Sequence, residues 1–394
     1  MHSQIRKIIA TCIILVILTG IPEASATEQE MRAAMQGFQE AFNAHDLAQA
    51  GLYWTDDIVY DFVPLPPPMQ SKEQATAFLE GLFQGIPDFN VTQTRILVSD
   101  NIMVTEAVGT GTHLGELSGI PATGNSLKVL PLHIWEFEGD KVKRTTEYLD
   151  MASSLIQMGV MPAPELDPAL LVPSFPLPDP EPTGLAPLEA AAEFVSRWNT
   201  RDLSGMSKMI HSDANILVAP LGIPLSRDAY VVVGEMMLQG FSDMPMEVVR
   251  AIDMGDGWVL SELLITGTND GPYMGMPATR RSITLRAASL QRYNADGLLM
   301  DVRSYYDNLT MLAQLGFFPP PDPEANKAIV ERWLELWNTQ DLAIADEILA
   351  TDFIPHTPHF PHIIDFESYK AEVTNTPTLI PDFHATLEDI VAEG

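Results

Sequence analysis

The chain predicts an α+β fold of tandem repeats, each a curved antiparallel sheet wrapped around helices, with a third copy incomplete. Three observations carry this. A short stretch is written twice, Tyr148-Leu149-Asp150 with Gln157-Met158-Gly159 and Tyr305-Tyr306-Asp307 with Gln314-Leu315-Gly316. Asp150 to Asp307 and Gln157 to Gln314 are each 157 positions apart, which marks a repeat. A head pattern, aromatic-Asn-x-x-Asp-Leu, is written three times, at 42–47, 198–203 and 337–342. Between head and tail, helical periodicity gives way to consecutive alternating runs, the order of segregated helices followed by a strand meander.

Each head closes an amphipathic helix. Met31, Met35, Phe38 and Phe42 share a face in the first, and Ile329, Trp333, Leu336 and Trp337 in the third. Asn followed by Asp reads as a helix end and the N-cap of the next helix. The first repeat continues with a strand near 58–63, a Pro-rich loop at 64–68, and a helix opened by a capping box at Ser71 and Gln74. Strands follow at 91–98, 102–112, 127–137 and 141–149. The second repeat copies the order, with helices at 188–198, 203–210 and 229–238, and strands at 216–219, 246–254, 258–268, 282–293 and 298–305. The third has two head helices, a His-rich region, a helix near 367–373 and one strand start at 384–391. It lacks the strands that would cover its sheet edge, so either the sequence is a fragment or a partner strand completes it.

The resulting division is a targeting segment at 1–26, a first domain at 27–163, a Pro-rich linker at 164–184, a second domain at 185–321 and a partial third at 322–394. Arg6 and Lys7 precede the short apolar run 8–18, and Ala24-Ser25-Ala26 is a small-x-small cleavage site. The expected address is secreted or periplasmic, with no integral membrane span after processing. The one cysteine, Cys12, lies inside that segment, which leaves the processed chain no thiol chemistry. A formal charge of -31 argues against nucleic acid as a partner, because phosphates repel a polyanion.

The loop 111–124, Gly-Thr-His-Leu-Gly-Glu-Leu-Ser-Gly-Ile-Pro-Ala-Thr-Gly, resembles the signature of the SnoaL-like polyketide cyclases of the nuclear transport factor 2-like superfamily. Residues 267–279 keep a degraded form, and the tails Val142, Asp150, Gln157-Met158-Gly159 and Leu299, Asp307, Gln314-Leu315-Gly316 match the end of that motif. The resemblance implies cone-shaped barrels with an apolar pocket, one acidic residue acting as base and acid, and no cofactor. It places the catalytic acid at Asp150 and Asp307. Strand alternation would turn Asp150 and Tyr148 toward the concave face, and Arg303 with Tyr305 and Asp307 likewise. An acid where a strand hands over to a helix also caps that helix, so both readings stand.

His113, His133, Trp135, Tyr148 and Tyr305 are the expected substrate-binding residues. The second repeat has Asn269 and Ser289 where the first has His113 and His133, which makes the first the better catalytic candidate. His356, His359 and His362 have a spacing that could hold zinc, but a stiff loop at a pocket rim explains them better; the expectation is no metal. The expected partner is a small apolar or carbonyl-containing molecule. Three functions fit: a cofactor-free acid–base catalyst of the aldol cyclase or isomerase type, a non-catalytic holder of small apolar ligands, or a scaffold and dimerisation module that would form a homo-oligomer.

Overall fold

The computed structural model describes residues 26–163, 172–273, 275–317, 323–349, 353 and 365–390. The targeting segment through residue 25, part of the Pro-rich linker and the three histidines of 356–362 lie outside them. The chain divides into two compact units, Met1–Met311 and Leu312–Gly394.

In the first repeat, α1 (Glu28–Asn43) opens with a reciprocal capping box between Thr27 and Glu30, and α2 (Leu47–Ala50) is capped by Asp46. There follow β1 (Trp54–Phe62), α3 (Lys72–Gly85), β2 (Asn90–Ser99), β3 (Ile102–Thr112), β4 (Ser126–Val129), β5 (Leu132–Glu138), β6 (Lys141–Tyr148) and α4 (Met151–Gln157). The sheet runs β1-β6-β5-β3-β2, with β4 also on β3, and β1 is parallel to β6. The single strand expected at 127–137 is two strands. Pro131 interrupts it, because a proline has no N–H for the ladder, though its carbonyl still accepts from the Ala107 amide at 3.1 Å. Between β5 and β6 the pairing slips by one residue after the turn, so that Phe137 faces Val142 but Glu136 faces Arg144. This bulge sets which side chains face inward.

The second repeat has α5 (Pro187–Asn199), α6 (Leu203–Lys208), β7 (Ile210–Val218), β8 (Pro224–Leu225), α7 (Arg227–Gly240), β9 (Met246–Gly255), β10 (Trp258–Thr268), β11 (Ser282–Tyr293), β12 (Leu299–Tyr306) and α8 (Asn308–Leu315). Its separate sheet runs β8-β7-β12-β11-β10-β9, with β12 parallel to β7. The described end of the linker is tied to this domain. The Glu181 amide donates to the Lys208 carbonyl, the Thr183 amide to Asp296, and Arg227 to the Pro178 carbonyl.

The two sheets pack against each other through the faces turned away from their helices. Val104, Leu132, Ile134 and Tyr148 meet Trp258, Leu260, Leu290 and Tyr305 in one buried cluster. Polar pairs frame it reciprocally. Tyr148 donates to Glu262 at 2.9 Å and Tyr305 donates to Glu106. Arg286 holds Asp61 by two hydrogen bonds of 2.9 and 2.8 Å, and Arg250 reaches Glu136 at 2.8 Å.

The third module comprises α9 (Pro323–Thr339), α10 (Leu342–Ile348) and α11 (Phe366–Leu379), closed around Leu336, Ile344, Tyr369 and Val373. The strand expected at 384–391 is absent from its described part. The Ala385 amide instead donates to Asn338 Oδ1 and its carbonyl accepts from Asn338 Nδ2, at 2.8 Å each.

Candidate functional site

The helices α1 and α3 close over the inner face of the first sheet and leave a cavity of about 470 Å³. Its wall is largely aromatic and aliphatic, with Phe38, Phe42, Phe62, Phe78, Phe89 and Trp135 among the lining residues. No lysine or arginine lines it. Four polar groups come together on its floor from adjacent strands: Tyr60 on β1, Glu147 on β6, His133 on β5 and Thr105 on β3.

Glu147 is their centre. The Tyr60 hydroxyl donates to its Oε2 at 2.6 Å, and His133 Nε2 lies 3.5 Å from the same oxygen. Burial pushes the Glu147 carboxyl up, but the charge of His133 and hydrogen bonds from His133 and Tyr60 outweigh it and hold the group below the usual range. Burial and the adjacent carboxylate push the Tyr60 phenol far up, so it stays a donor. Trp135 stacks on the His133 ring, centroids 4.9 Å apart, and anchors itself by donating to Thr105 Oγ1 at 2.9 Å. His133 Nδ1 is buried with no protein partner, which leaves one polar atom of the floor for a ligand.

The other expected site residues lie elsewhere. Asp150 and Asp307 do not line the cavity; they sit in the seam between the two sheets. Asp150 caps α4 through the Ser153 amide at 2.9 Å and takes the first amide of α8, from Asn308, at 2.8 Å. Asp307 does the converse, accepting from Thr310 and from Met151 at 2.8 Å each. Each carboxylate thus caps its own helix and the other domain's. Burial raises both above the usual carboxylate range. Tyr148 and Tyr305 share this outer face, and Arg303 lies 3.7 Å from Glu106 there. Alternation had the right parity and the wrong face, because the one-residue bulge places Glu147, not Thr146, opposite His133 and so turns Tyr148 outward.

His113 is fully buried but outside the cavity. Its Nδ1 accepts from the Thr123 amide at 3.3 Å and fastens the loop between β3 and β4, as Asn269 Oδ1 does with Thr279 at 2.7 Å in the second domain. Of the expected substrate-binding residues, only His133 and Trp135 line the pocket. Among the described residues, no group of three or more His, Cys, Asp or Glu is placed to hold a metal ion.

The model of one family, SnoaL-like polyketide cyclase, matches residues 32–158, 189–315 and 327–394, most of the chain. The chain belongs to the SnoaL-like polyketide cyclase family. It is 32% identical over 132 residues to nogalonic acid methyl ester cyclase of Streptomyces nogalater, covering 33% of this chain and 96% of that protein. Among solved structures, AclR from Streptomyces galilaeus is similar at 23% identity with a TM-score of 0.32, over 34% of this chain and 100% of its own. IdmH from Streptomyces antibioticus is similar at 24% identity with a TM-score of 0.30, over 33% of this chain and 99% of its own. This SnoaL-like chain therefore carries three family segments, and one of its two barrels holds a buried acid–base group. In the second barrel the register partners of that group are Ser289 and Ser304, paired across β11 and β12 as His133 and Glu147 are across β5 and β6.

Proposed function

We propose that the first domain is a cofactor-free acid–base catalyst that closes a ring on an uncharged, polyketide-like carbonyl compound, with Glu147 as the base. The observation that carries this is the Glu147 carboxylate on the floor of an apolar pocket, held by Tyr60 and His133. A carboxylate held below its usual range is a weak base, so the substrate must supply the acidity; a C–H between two carbonyls does so. Glu147 takes that proton and the C–H electron pair becomes an enolate. The enolate carbon bonds to a carbonyl carbon held beside it, and the resulting alkoxide takes a proton from protonated Glu147 or from His133. The pocket supplies orientation, which is worth several kcal/mol in such a closure, roughly 7–11 at the limit. With no lysine or arginine in the wall and two lining carboxylates, Glu116 and Glu147, an ester fits and a free acid does not. The relative from Streptomyces nogalater carries such an ester in its name.

Solvent deuterium exchange tests the reading. With nogalonic acid methyl ester as probe, the chain should introduce deuterium at the doubly activated carbon and form the cyclised product, and Glu147→Gln should do neither while still binding it. Exchange by Glu147→Gln at the wild-type rate would overturn the assignment. Export is proposed on the targeting segment and on the capping box that starts the fold at Thr27, directly after the expected cleavage site. A processed N-terminus other than Thr27 would count against it.

A further inference from the structure

The second domain encloses its own cavity, of about 110 Å³. Its floor stands at the positions of the acid–base group in the first domain, yet nothing there is an acid, an imidazole or a cation. Ser289 and Ser304 oppose each other, and Ser261 pairs with Ser289 as Thr105 pairs with His133. Gln291 takes the register position of Trp135, and Tyr230 and Tyr306 complete the polar lining. Ser261, Ser289 and Gln291 are all buried. The facing wall is methionine-rich, with Met206, Met237, Met244 and Met246.

We infer that the second domain is a non-catalytic binding site for an uncharged molecule smaller than benzene, of about four or five heavy atoms, carrying one oxygen. Size sets the upper bound, since an apolar cavity of about 150 Å³ accepts benzene and this one, at about 110 Å³, is smaller. Serine hydroxyls both donate and accept, so they serve an alcohol or a ketone equally. Methionine side chains adapt to a small apolar group without a fixed shape. An anion would lose its hydration with no counter-charge in the wall to replace it. Proton abstraction is closed to this cavity because no general base lines it. The inference does not depend on the reaction proposed for the first domain.

The methionines make the test site-resolved. Met206, Met237, Met244 and Met246 line the second cavity, whereas Met151 and Met158 line the first. The full chain, labelled at its methionine methyl carbons and assigned by single Met→Leu changes, is titrated with acetone and separately with acetate. Acetone should move the four second-domain methyls saturably, acetate should leave them still, and Ser304→Ala should weaken acetone about five-fold through one lost hydrogen bond. Ser289→Ala serves in its place if Ser304→Ala does not fold. Acetone that moves only Met151 and Met158 or none of the six, acetate that moves the four equally, or an unchanged affinity in the serine variant would overturn the inference.

Discussion

Glu147 and Asp150 are three residues apart and have opposite fates. Glu147 looks into the pocket and is held below its usual range; Asp150 looks into the seam and is raised by burial. A base works only when deprotonated, so activity resting on Glu147 is present above its folded pKa and lost as pH falls through it. The profile of kcat/KM should therefore stay flat down to below the ordinary glutamate value of about 4.3. His133→Gln removes the charge that lowers Glu147, and the acid limb should move up in pH; an unmoved limb would contradict the pairing. His133 and Trp135 were legible as strand residues on one face. Glu147 was not, because a turn at Gly139-Asp140 without slippage would set Thr146, not Glu147, opposite His133. The bulge at the β5–β6 hairpin has no signature in the residues themselves.

At the scale of elements, the repeated head is the most legible part of the chain, and its asparagine does more than end a helix. Asn43 donates to the Val91 carbonyl and accepts from the Val91 amide, both at 2.9 Å. Asn199 does the same with Met246, and Asn338 with Ala385. Each pins the first helix of its repeat to the segment that follows the repeat's third helix. Capping preference predicted the partner aspartates, and Asp46 and Asp202 do cap α2 and α6. It could not foresee a contact 48 positions away. Asn43→Ala should lower stability by about 1–3 kcal/mol, since the Val91 amide loses its partner and the Val91 carbonyl keeps only Gln39. Denaturant titration checks this, and an unchanged midpoint would refute it.

On the scale of the whole molecule, packing one sheet on another decides which residues serve structure. The outer faces carry Glu106, Glu262, Asp61 and Asp150, of which the sequence singles out Asp150 alone, and all four are buried partners of the other domain. A single sequence does not show that two repeats will share a face. Asp61 is pushed up by burial, but its hydrogen bonds and charge pairing with Arg286 and Arg144 hold it below the usual range. Its folded pKa is thus depressed, so its contribution is present above the unfolded value of about 3.9 and lost as pH falls through the folded one. Arg286→Ala should raise the Asp61 pKa and shift acid unfolding to higher pH. It should also cost about 1–3 kcal/mol at neutral pH, less than a fully buried pair because the arginine is partly exposed. An acid transition at the wild-type pH would contradict the role given to this pair.

The most direct test sets two variants side by side, with kcat/KM measured per folded molecule on one substrate. Glu147→Gln should lose about 10²–10⁴-fold, the usual contribution of a positioned base. Asp150→Asn keeps only one of its two acceptor oxygens, so it should melt earlier yet turn over like the wild type once folded. A folded Asp150→Asn without activity, beside an active Glu147→Gln, would contradict the assignment of the reaction to the floor of the first pocket.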